Sequence, residues 1–351
     1  MATPLPQQRR TLGRSGLQVS PIGLGCSGFW GHRRFPEADA ARVVAHALKR
    51  GVNLLDTGHN YSAFNAEPRL GRILKPLLTR FPRDSLVISS KGGTLTGQAG
   101  PSGAEQRDFS PGAITASCEA SLRNLGLDYL DVYQLHGIAG EEVTDELLHA
   151  LQQLRQRGLI RSTGINTHSA VTLDWMLARP QAFDVVLLDY NALQQDRASH
   201  ISQLHAAGIG VLAGTVLAQG HLLPTRPRLP RPADAWYLAR AWLKPSSRRL
   251  MRSARAMRAA VAAIPSQRPA QTAFAYVLQH PGVAAGILGT TTRGQPGRSA
   301  ADRAGALGRG RSRASGRRVL RRQRLTQSLR LNPRPRVMRH AVGLSLNALL
   351  P

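Results

Sequence analysis

The chain has 351 residues, of which 42% are apolar and 5% aromatic, and its formal net charge is +27. This length accommodates one large α/β barrel or two smaller domains, with enough apolar residues for a core. No apolar run approaches the roughly 18 residues of a membrane-spanning helix, and the N-terminal residues lack the apolar segment of a secretory signal. The two cysteines, Cys26 and Cys118, form no metal-binding spacing and no disulfide framework, which favours a cytoplasmic protein.

The positive charge is concentrated in the last third of the chain. Residues 1–221 contain 21 basic and 18 acidic side chains, whereas residues 222–351 contain 26 basic and two acidic ones. A basic segment of this kind can bind nucleic acid or an anionic surface. It has few interleaved aromatic residues and no nucleic-acid-binding motif, so we do not expect a nucleic-acid partner.

Predicted strands and helices alternate along most of the chain. A hairpin is predicted at Arg10–Ser20, because a turn at Gly13–Gly16 separates two short extended segments. Eight short apolar segments then predict strands: Pro21–Gly25, Val52–Leu55, Leu86–Ser90, Leu130–Leu135, Ile160–Ile165, Asp184–Leu188, Ile209–Ala213 and Val283–Leu288. Seven further stretches have the apolar spacing of helices: Pro36–Arg50, Glu67–Leu78, Ser110–Leu125, Thr144–Arg157, Ser169–Ala178, Arg197–Ala207 and Ala270–Gln279. The alternation predicts a (β/α)8 TIM barrel of parallel strands, with the hairpin capping its bottom.

Two longer connections interrupt this alternation. The glycine-rich segment Gly92–Phe109 is predicted to be an irregular, mobile loop, and residues 231–264 are predicted to form an extra helical insertion rich in Arg and Ala. Residues 294–351 contain 14 arginines, one acidic residue, no lysine and no aromatic residue, and they supply no amphipathic pattern for the eighth helix. We therefore divide the chain into a barrel at residues 1–293 and an Arg-rich tail at residues 294–351.

Four of the predicted strands are each followed by a charged or hydrogen-bonding side chain. They are Asp56, Lys91, His136 and Asn166. The carboxyl ends of the strands share one rim in a (β/α)8 barrel, and active sites of such barrels lie there. Tyr61 adds a phenol five residues after Asp56. Each residue alone has an ordinary structural explanation, such as a strand-end cap or a solvated side chain, so it is their combination that indicates a site.

Several motifs resemble those of the aldo-keto reductase superfamily. Residues 56–61, D-T-G-H-N-Y, match the family pattern D-T-A-x-x-Y, and residues 121–136 match S-L-x-x-L-x-x-D-Y-[LV]-D-L-Y-x-x-H. Residues 158–166, G-L-I-R-S-T-G-I-N, resemble G-x-I-R-x-I-G-V-S, and residues 208–213 resemble the seventh barrel strand of the family. The similarity covers roughly residues 10–293, and it is specific because the motifs occur in order and at the family's spacing.

The resemblance implies an NADP-dependent oxidoreductase that reduces an aldehyde or ketone, a small-molecule carbonyl substrate, by hydride transfer. Tyr61 is then expected to be the general acid, although the ordinary pKa of a phenol, about 10, hinders proton transfer near neutrality. The ammonium of Lys91 would lower that pKa, and Asp56 would hold Lys91 in place. His136 would donate a hydrogen bond to the substrate oxygen. Trp30 is a candidate for lining the substrate pocket, with packing inside its own loop as the alternative.

The resemblance also implies a cofactor site, for which NADP(H) is expected ahead of NAD(H). Asn166 stands where the family places the first residue of a Ser-Asn pair that binds the nicotinamide carboxamide. The family often stacks an aromatic residue on the nicotinamide, whereas this chain has Gly214 there, in a segment that continues to Leu217. The adenosine phosphate is expected to bind after the last strand, at Gly289, Thr290, Thr291 and Arg293.

Departures from the family pattern leave two other functions open. Thr167 replaces the second residue of the Ser-Asn pair, Leu187 replaces a glutamine common in the sixth strand, and the phosphate ligands of the eighth helix are not recognisable. One alternative is a barrel of low activity that senses the cofactor or regulates a partner. The other is a non-functional product with a scrambled C-terminus.

The composition of residues 294–351 leads to a test at the level of the gene. An amino-acid sequence rich in Arg, Gly, Ala, Ser and Pro is typical of a GC-rich gene read out of frame. We therefore interpret the tail as the result of a frame shift after about residue 293. A natural basic, disordered tail is the alternative. We expect resequencing to find an inserted or deleted nucleotide near codon 293. An uninterrupted reading frame through that locus would contradict the interpretation.

Overall fold

The computed structural model describes residues 8–31, 35–99, 105–218, 222, 254 and 269–289. The predicted helical insertion, apart from Ala254, and the Arg-rich tail lie outside the described residues. Within the described part, no helix is long and apolar enough to cross a membrane.

Eight parallel strands form a closed barrel, which confirms the predicted (β/α)8 fold. They are β3 (Ile22–Gly25), β4 (Leu54–Asp56), β5 (Val87–Gly92), β8 (Leu130–His136), β9 (Ile160–Thr167), β10 (Val185–Asp189), β11 (Gly210–Gly214) and β12 (Val283–Gly289). Each strand pairs with the next barrel strand along the chain, and β12 closes the barrel against β3. The carboxyl ends of all eight strands consequently face the same rim.

The helices that separate these strands follow the predicted pattern, with shifts of at most one residue at their ends. They are α1 (Glu37–Lys49), α3 (Ala66–Leu77), α4 (Pro111–Leu125), α5 (Asp145–Gln156), α6 (Ala170–Ala178), α7 (Ala198–Ala206) and α8 (Pro269–Leu278), with a four-residue turn, α2 (Tyr61–Phe64), before α3. Local capping explains several starts. The hydroxyls of Ser110, Thr144 and Ser169 accept hydrogen bonds from backbone N–H groups in the first turns of α4, α5 and α6.

A short hairpin seals the bottom of the barrel, as predicted. Its strands, β1 (Arg10–Thr11) and β2 (Gln18–Val19), pair antiparallel, and Leu12 and Val19 are buried in the apolar core inside the barrel. The other members of this core lie on the barrel strands: Leu54, Val87, Val132, Val185, Leu187, Leu212, Ala284 and Ala285. The apolar layer therefore fills the lower barrel and leaves polar side chains to the rim.

The hairpin turn packs very closely on the start of β11. Gly13 has a positive φ of 52°, and a Cβ atom at this position would lie 2.2 Å from the backbone nitrogen of Gly210. The next residue, Arg14, donates its backbone N–H to the carbonyl of Gly208 at 2.7 Å. Only glycine satisfies both the conformation and the close approach at residue 13.

The segment predicted to be an irregular loop contains regular structure, so that prediction was wrong. Within Gly92–Phe109, strands β6 (Thr94–Ala99) and β7 (Glu105–Arg107) pair antiparallel. The segment lacks the simple alternation of apolar and polar residues that marks a strand, and for this reason the sequence did not reveal the pairing. The hairpin follows β5 directly, on the side of the rim.

A charged cluster joins strands at the bottom of the barrel. Asp131 is fully buried and accepts hydrogen bonds from Arg83 at 2.7 Å, from Arg161 at 3.1 Å and from the backbone N–H of Ile88 at 2.8 Å. The two guanidinium groups lie 3.9 Å and 4.0 Å from the ring centroid of Tyr129. Three donors satisfy the buried carboxylate, and the cations are stabilised by both the charge and the ring.

This cluster predicts a large stability effect far from the rim. We expect Asp131→Ala to lower the free energy of unfolding by about 3 kcal/mol, because it leaves two cations and a backbone N–H without their common acceptor. Glu119→Ala is the matched control. It breaks a more exposed ion pair with Arg157, 2.7 Å long, and should cost less than about 1 kcal/mol. Urea denaturation measures both values, and equal losses would contradict the expectation.

Candidate active site

The structure brings the predicted rim residues together. Asp56, Lys91, His136 and Asn166 lie at or near the carboxyl ends of β4, β5, β8 and β9, which are consecutive strands of the barrel. In the strand register, Lys91 is opposite Gln134, and His136 is opposite Asn166. Lys91, His136 and Asn166 fall inside strands that extend slightly further than predicted, because the neighbouring strands continue to pair up to the rim.

A short ion pair lies at the centre of this group. The ammonium of Lys91 donates hydrogen bonds of 2.6 Å to Asp56 Oδ2 and of 2.6 Å to the carbonyl of Thr57. The Lys91 side chain is fully buried. Burial alone would lower the pKa of Lys91, but the nearby charges of Asp56 and of the Tyr61 phenolate, together with hydrogen bonds to both, raise it. Lys91 is therefore a permanently charged group next to Tyr61.

The second oxygen of Asp56 binds two residues that the sequence did not single out. Ser89 Oγ donates to Asp56 Oδ1 at 3.0 Å, and Gln134 Nε2 donates to the same oxygen at 3.2 Å and to Ser89 Oγ at 2.6 Å. Ser89 lies two residues before Lys91, and Gln134 lies two residues before His136. Side chains two apart on a strand point to the same face, so this spacing was the signal that could have identified them.

The ring of Tyr61 lies close to both Lys91 and His136. The Lys91 ammonium is 5.1 Å from the centroid of the Tyr61 ring, and the His136 ring meets Tyr61 edge-on, with centroids 5.5 Å apart at 90°. A Cβ atom at Gly58 would lie 3.0 Å from the Tyr61 ring, so the close approach of the ring favours glycine there. A carboxylate, an ammonium, a phenol and an imidazole thus share one end of the barrel.

Tyr61 is followed by an unusual backbone turn. Ser62, Ala63 and Phe64 have φ values of 55°, 51° and 65°, in the left-handed region that non-glycine residues rarely adopt. Contacts with the neighbouring loop hold this turn. The hydroxyl of Ser62 accepts a hydrogen bond of 2.8 Å from the backbone N–H of Gly31, and Asn65 donates to the Gly31 carbonyl. The strain is concentrated directly next to the phenol.

His136 is a neutral imidazole in this environment. Burial, followed by the positive charges of Lys91, Arg107 and His168, lowers the pKa of His136 from 6.5 to about 3. Its Nδ1 atom is buried and has no hydrogen-bond partner among the described residues. Arg107 is close because it donates a hydrogen bond of 2.9 Å to the carbonyl of Gly137, the next residue along the chain. A neutral imidazole carries one N–H donor and one acceptor nitrogen.

The residues predicted to bind a cofactor are only partly described. Asn166 is buried, and its amide donates to the carbonyl of Leu187 at 3.2 Å. The hydroxyl of Thr167 accepts a hydrogen bond of 3.1 Å from the backbone N–H of Ser169, the residue that caps α6. Leu217, like Leu193 and Tyr276, is partly buried and packs against a small apolar cluster: Ala192, Ala218, Leu222 and Ala273. Gly289 is the exposed last residue of β12, whereas Thr290, Thr291 and Arg293 lie outside the described residues.

Trp30 lies in a buried position. Its ring contacts Phe35 edge-on at 5.5 Å between centroids, and its carbonyl accepts a hydrogen bond of 2.7 Å from Arg69. The indole Nε1 is buried and has no hydrogen-bond partner among the described residues. Packing within the loop is thus present, and a contact with substrate stays a prediction.

Comparison with known proteins identifies the family. The closed parallel barrel and its polar rim first define a (β/α)8 protein with the layout of an enzyme. The model of the aldo/keto reductase family matches residues 21–301, and the chain belongs to that family. This confirms the resemblance read from the motifs, and it places the chain among oxidoreductases that act on carbonyl and alcohol substrates.

Two relatives and two solved structures illustrate the similarity. The chain is 30% identical to L-galactose dehydrogenase of Arabidopsis thaliana over 68% of this chain and 72% of the relative. It is 29% identical to L-glyceraldehyde 3-phosphate reductase of Escherichia coli over 61% of this chain and 63% of the relative. The holo form of an aldo-keto reductase from Bacillus halodurans has a TM-score of 0.64 at 25% identity, covering 82% of this chain and 87% of that one. The glycerol dehydrogenase of Gluconobacter oxydans has a TM-score of 0.64 at 23% identity, covering 83% and 88%, and supports the fold alone.

The low pKa of His136 predicts a pH-dependent stability. The unfolded chain binds the proton at about pH 6.5 and the folded chain only at about pH 3, so stability falls as the pH falls through this window. We expect His136→Asn to flatten the dependence of the unfolding free energy on pH between these values, as measured by urea denaturation. His149→Asn, at an exposed position, is the control and should leave the dependence unchanged. An equally steep dependence in His136→Asn would show that other groups cause it.

Proposed function

We propose that this chain reduces an aldehyde or ketone to an alcohol with a nicotinamide cofactor, and that Tyr61 is the general acid. The observation that carries this proposal is the fully buried Lys91 ammonium, bound to Asp56 at 2.6 Å and 5.1 Å from the Tyr61 ring centroid. A fixed positive charge next to a phenol favours the phenolate and thereby makes the phenol a better acid. The oxidoreductase family of the chain supports this chemistry.

Each residue of the group has a distinct task in the proposed reaction. Tyr61 donates its hydroxyl proton to the carbonyl oxygen, and Lys91 stabilises the phenolate that remains. Asp56 keeps the Lys91 side chain in place, because its two oxygens are held by Lys91 and by Ser89. The neutral His136 donates a hydrogen bond to the same substrate oxygen and orients the carbonyl. The nicotinamide cofactor, when bound, supplies the hydride that reduces the carbonyl carbon.

The described residues are compatible with such a cofactor. The His136 Nδ1 atom and the cluster of polar side chains leave hydrogen-bonding capacity at the rim, and among the described residues none beyond its chain neighbour lies within 4 Å of the Cβ position at Gly289. Asn166 would bind the carboxamide, and Gly214 and Leu217 would lie beside the ring. Gly289, with Thr290, Thr291 and Arg293, would hold the adenosine phosphate, and for this reason we propose NADP(H) ahead of NAD(H).

The substrate is a small carbonyl compound. The names of the two relatives refer to L-galactose and L-glyceraldehyde 3-phosphate, so hydroxylated aldehydes are the first compounds to test. Trp30 and His136 remain our candidates for contacts with the substrate. The paucity of cysteines keeps the cytoplasm as the proposed location.

We predict that Tyr61→Phe abolishes turnover and keeps cofactor binding. Loss of a general acid lowers kcat by about 10²–10⁴-fold, whereas the ring that packs on Gly58 is retained. The measurement combines a fluorescence titration with NADPH and NADH and a turnover assay on a panel of hydroxylated aldehydes. Tyr129→Phe is the matched control, because it removes a phenol hydroxyl at the opposite end of the barrel and should leave kcat unchanged.

Three outcomes separate the alternatives for this site. Unchanged turnover in Tyr61→Phe would remove the acid assignment. Cofactor binding by the unmodified chain without turnover on the panel would favour a cofactor-sensing or regulatory barrel. Absence of cofactor binding together with poor solubility would favour a product with a scrambled C-terminus.

A further inference from the structure

A buried carboxylate and a buried imidazole lie directly behind the rim and have no part in the chemistry proposed above. Glu67, in the first turn of α3, is fully buried, and His59, in the loop before Tyr61, is nearly so. Their side chains meet at 3.2 Å between His59 Nδ1 and Glu67 Oε2. A carboxylate only accepts hydrogen bonds, so His59 Nδ1 carries the proton and donates it.

Glu67 is a rigid anchor because two other elements also bind it. Ser90 of β5 donates its hydroxyl to Glu67 Oε1 at 2.5 Å, and Asn124 of α4 donates to Glu67 Oε2 at 3.2 Å. Burial alone would raise the pKa of Glu67, but the hydrogen bonds from His59, Ser90 and Asn124 and the charge of His59 lower it. The carboxylate thus stays ionised and links a strand, a helix and the loop of Tyr61.

The loop is consequently fastened to both faces of β5. On the inner face, Lys91 binds Asp56 and the Thr57 carbonyl through its ammonium. On the outer face, Ser90 connects to His59 through Glu67, because adjacent residues of a strand point to opposite sides. Between the two, the backbone N–H of His59 donates to the Lys91 carbonyl at 3.0 Å.

The hydrogen bonds that link His59 through Glu67 to Ser90 help to hold the strained turn that follows Tyr61. The turn Ser62–Phe64 is left-handed at three consecutive non-glycine residues, which is unfavourable and persists only when surrounding contacts hold it. The ring of Phe64 contacts the ring of His59 edge-on, with centroids 5.3 Å apart. The ring of His59 therefore contacts the strained turn that follows Tyr61. Through its hydrogen bond to Glu67, His59 is also connected to strand β5.

We propose that His59 is a positioning residue, which through its bond to Glu67 holds the Tyr61 phenol beside the Lys91 ammonium. The proposal rests on the role of Tyr61 given above, but the position of the phenol can be measured without turnover. The charged and titratable groups around the phenol are Lys91 of β5, Asp56 of β4, His136 of β8 and the pair formed by His59 and Glu67. When the loop relaxes, the phenol moves away from Lys91 and becomes a weaker acid.

Three variants separate the effect of the hydrogen bond between His59 and Glu67 from the effect of ring packing between His59 and Phe64. His59→Phe keeps a ring against Phe64 and removes the N–H donor, whereas His59→Asn places an amide N–H near the position of Nδ1. Asn124→Ala removes a different donor from the same oxygen of Glu67, on the side away from the loop. Ionisation of Tyr61 is followed by the near-ultraviolet absorbance of phenolate, as the difference between each protein and its counterpart carrying Tyr61→Phe, in the full-length chain without substrate.

We expect His59→Phe to raise the apparent pKa of Tyr61 by about 1 and to move the alkaline limb of the kcat–pH profile, where Tyr61 loses its proton, to higher pH with it. The kcat value should fall about tenfold or more with little change in KM, because proton donation depends on the placement of the phenol. His59→Asn should recover most of both effects. Asn124→Ala should lower the Tm and leave the Tyr61 titration as it is in the parent protein.

A folded His59→Phe protein with an unchanged Tyr61 titration and an unchanged pH profile would overturn the proposal and leave His59 with a purely structural role. If His59→Phe does not fold, Glu67→Gln tests the proposal instead, since it weakens the same hydrogen bond with little change of shape. An unchanged Tyr61 titration in Glu67→Gln would also overturn the proposal. A parent protein that turns over no carbonyl compound refutes the proposed function alone, because the Tyr61 titration still reports its position.

Discussion

The buried ion pair between Lys91 and Asp56 is the interaction on which the rim depends. An ammonium without an anion beside it is costly in a protein interior, so the two strands that carry the pair must stay aligned. The remaining oxygen of Asp56 needs donors of its own, and Ser89 and Gln134 supply them. The pair therefore accounts for polar side chains on three neighbouring strands, in a barrel that also has a buried apolar core.

The two ends of the barrel use charge in different ways. At the bottom, the Asp131 carboxylate is matched by two arginines that stack on Tyr129. At the rim, the pKa of His136 is lowered and that of Lys91 is raised, so a neutral donor and a fixed cation both lie close to one phenol. Matched charges stabilise a fold, whereas divergent pKa values are typical of sites that transfer protons.

Much of this architecture follows from local sequence. The strands, the helix starts at Ser110, Thr144 and Ser169 and the sealing hairpin were all predictable, because periodicity and capping act over a few residues. The rim residues were predictable for a related reason, since parallel strands in sequence order must bring their carboxyl ends to one side. Their roles in catalysis remain predictions.

Other features depend on distant contacts and could not be predicted. The residues Ser-Ala-Phe after Tyr61 carry no glycine or asparagine to signal a left-handed turn, and it is the neighbouring loop at Gly31 that imposes one. The link between His59 and Glu67 was not predictable either, because it forms only when α3 packs against β5. Closure of the barrel has a consequence for synthesis: β3 leaves the ribosome early, yet its partner β12 is the last barrel strand to be translated. The nascent chain therefore carries an open sheet edge until β12 is made, and such an edge can pair with other chains and aggregate.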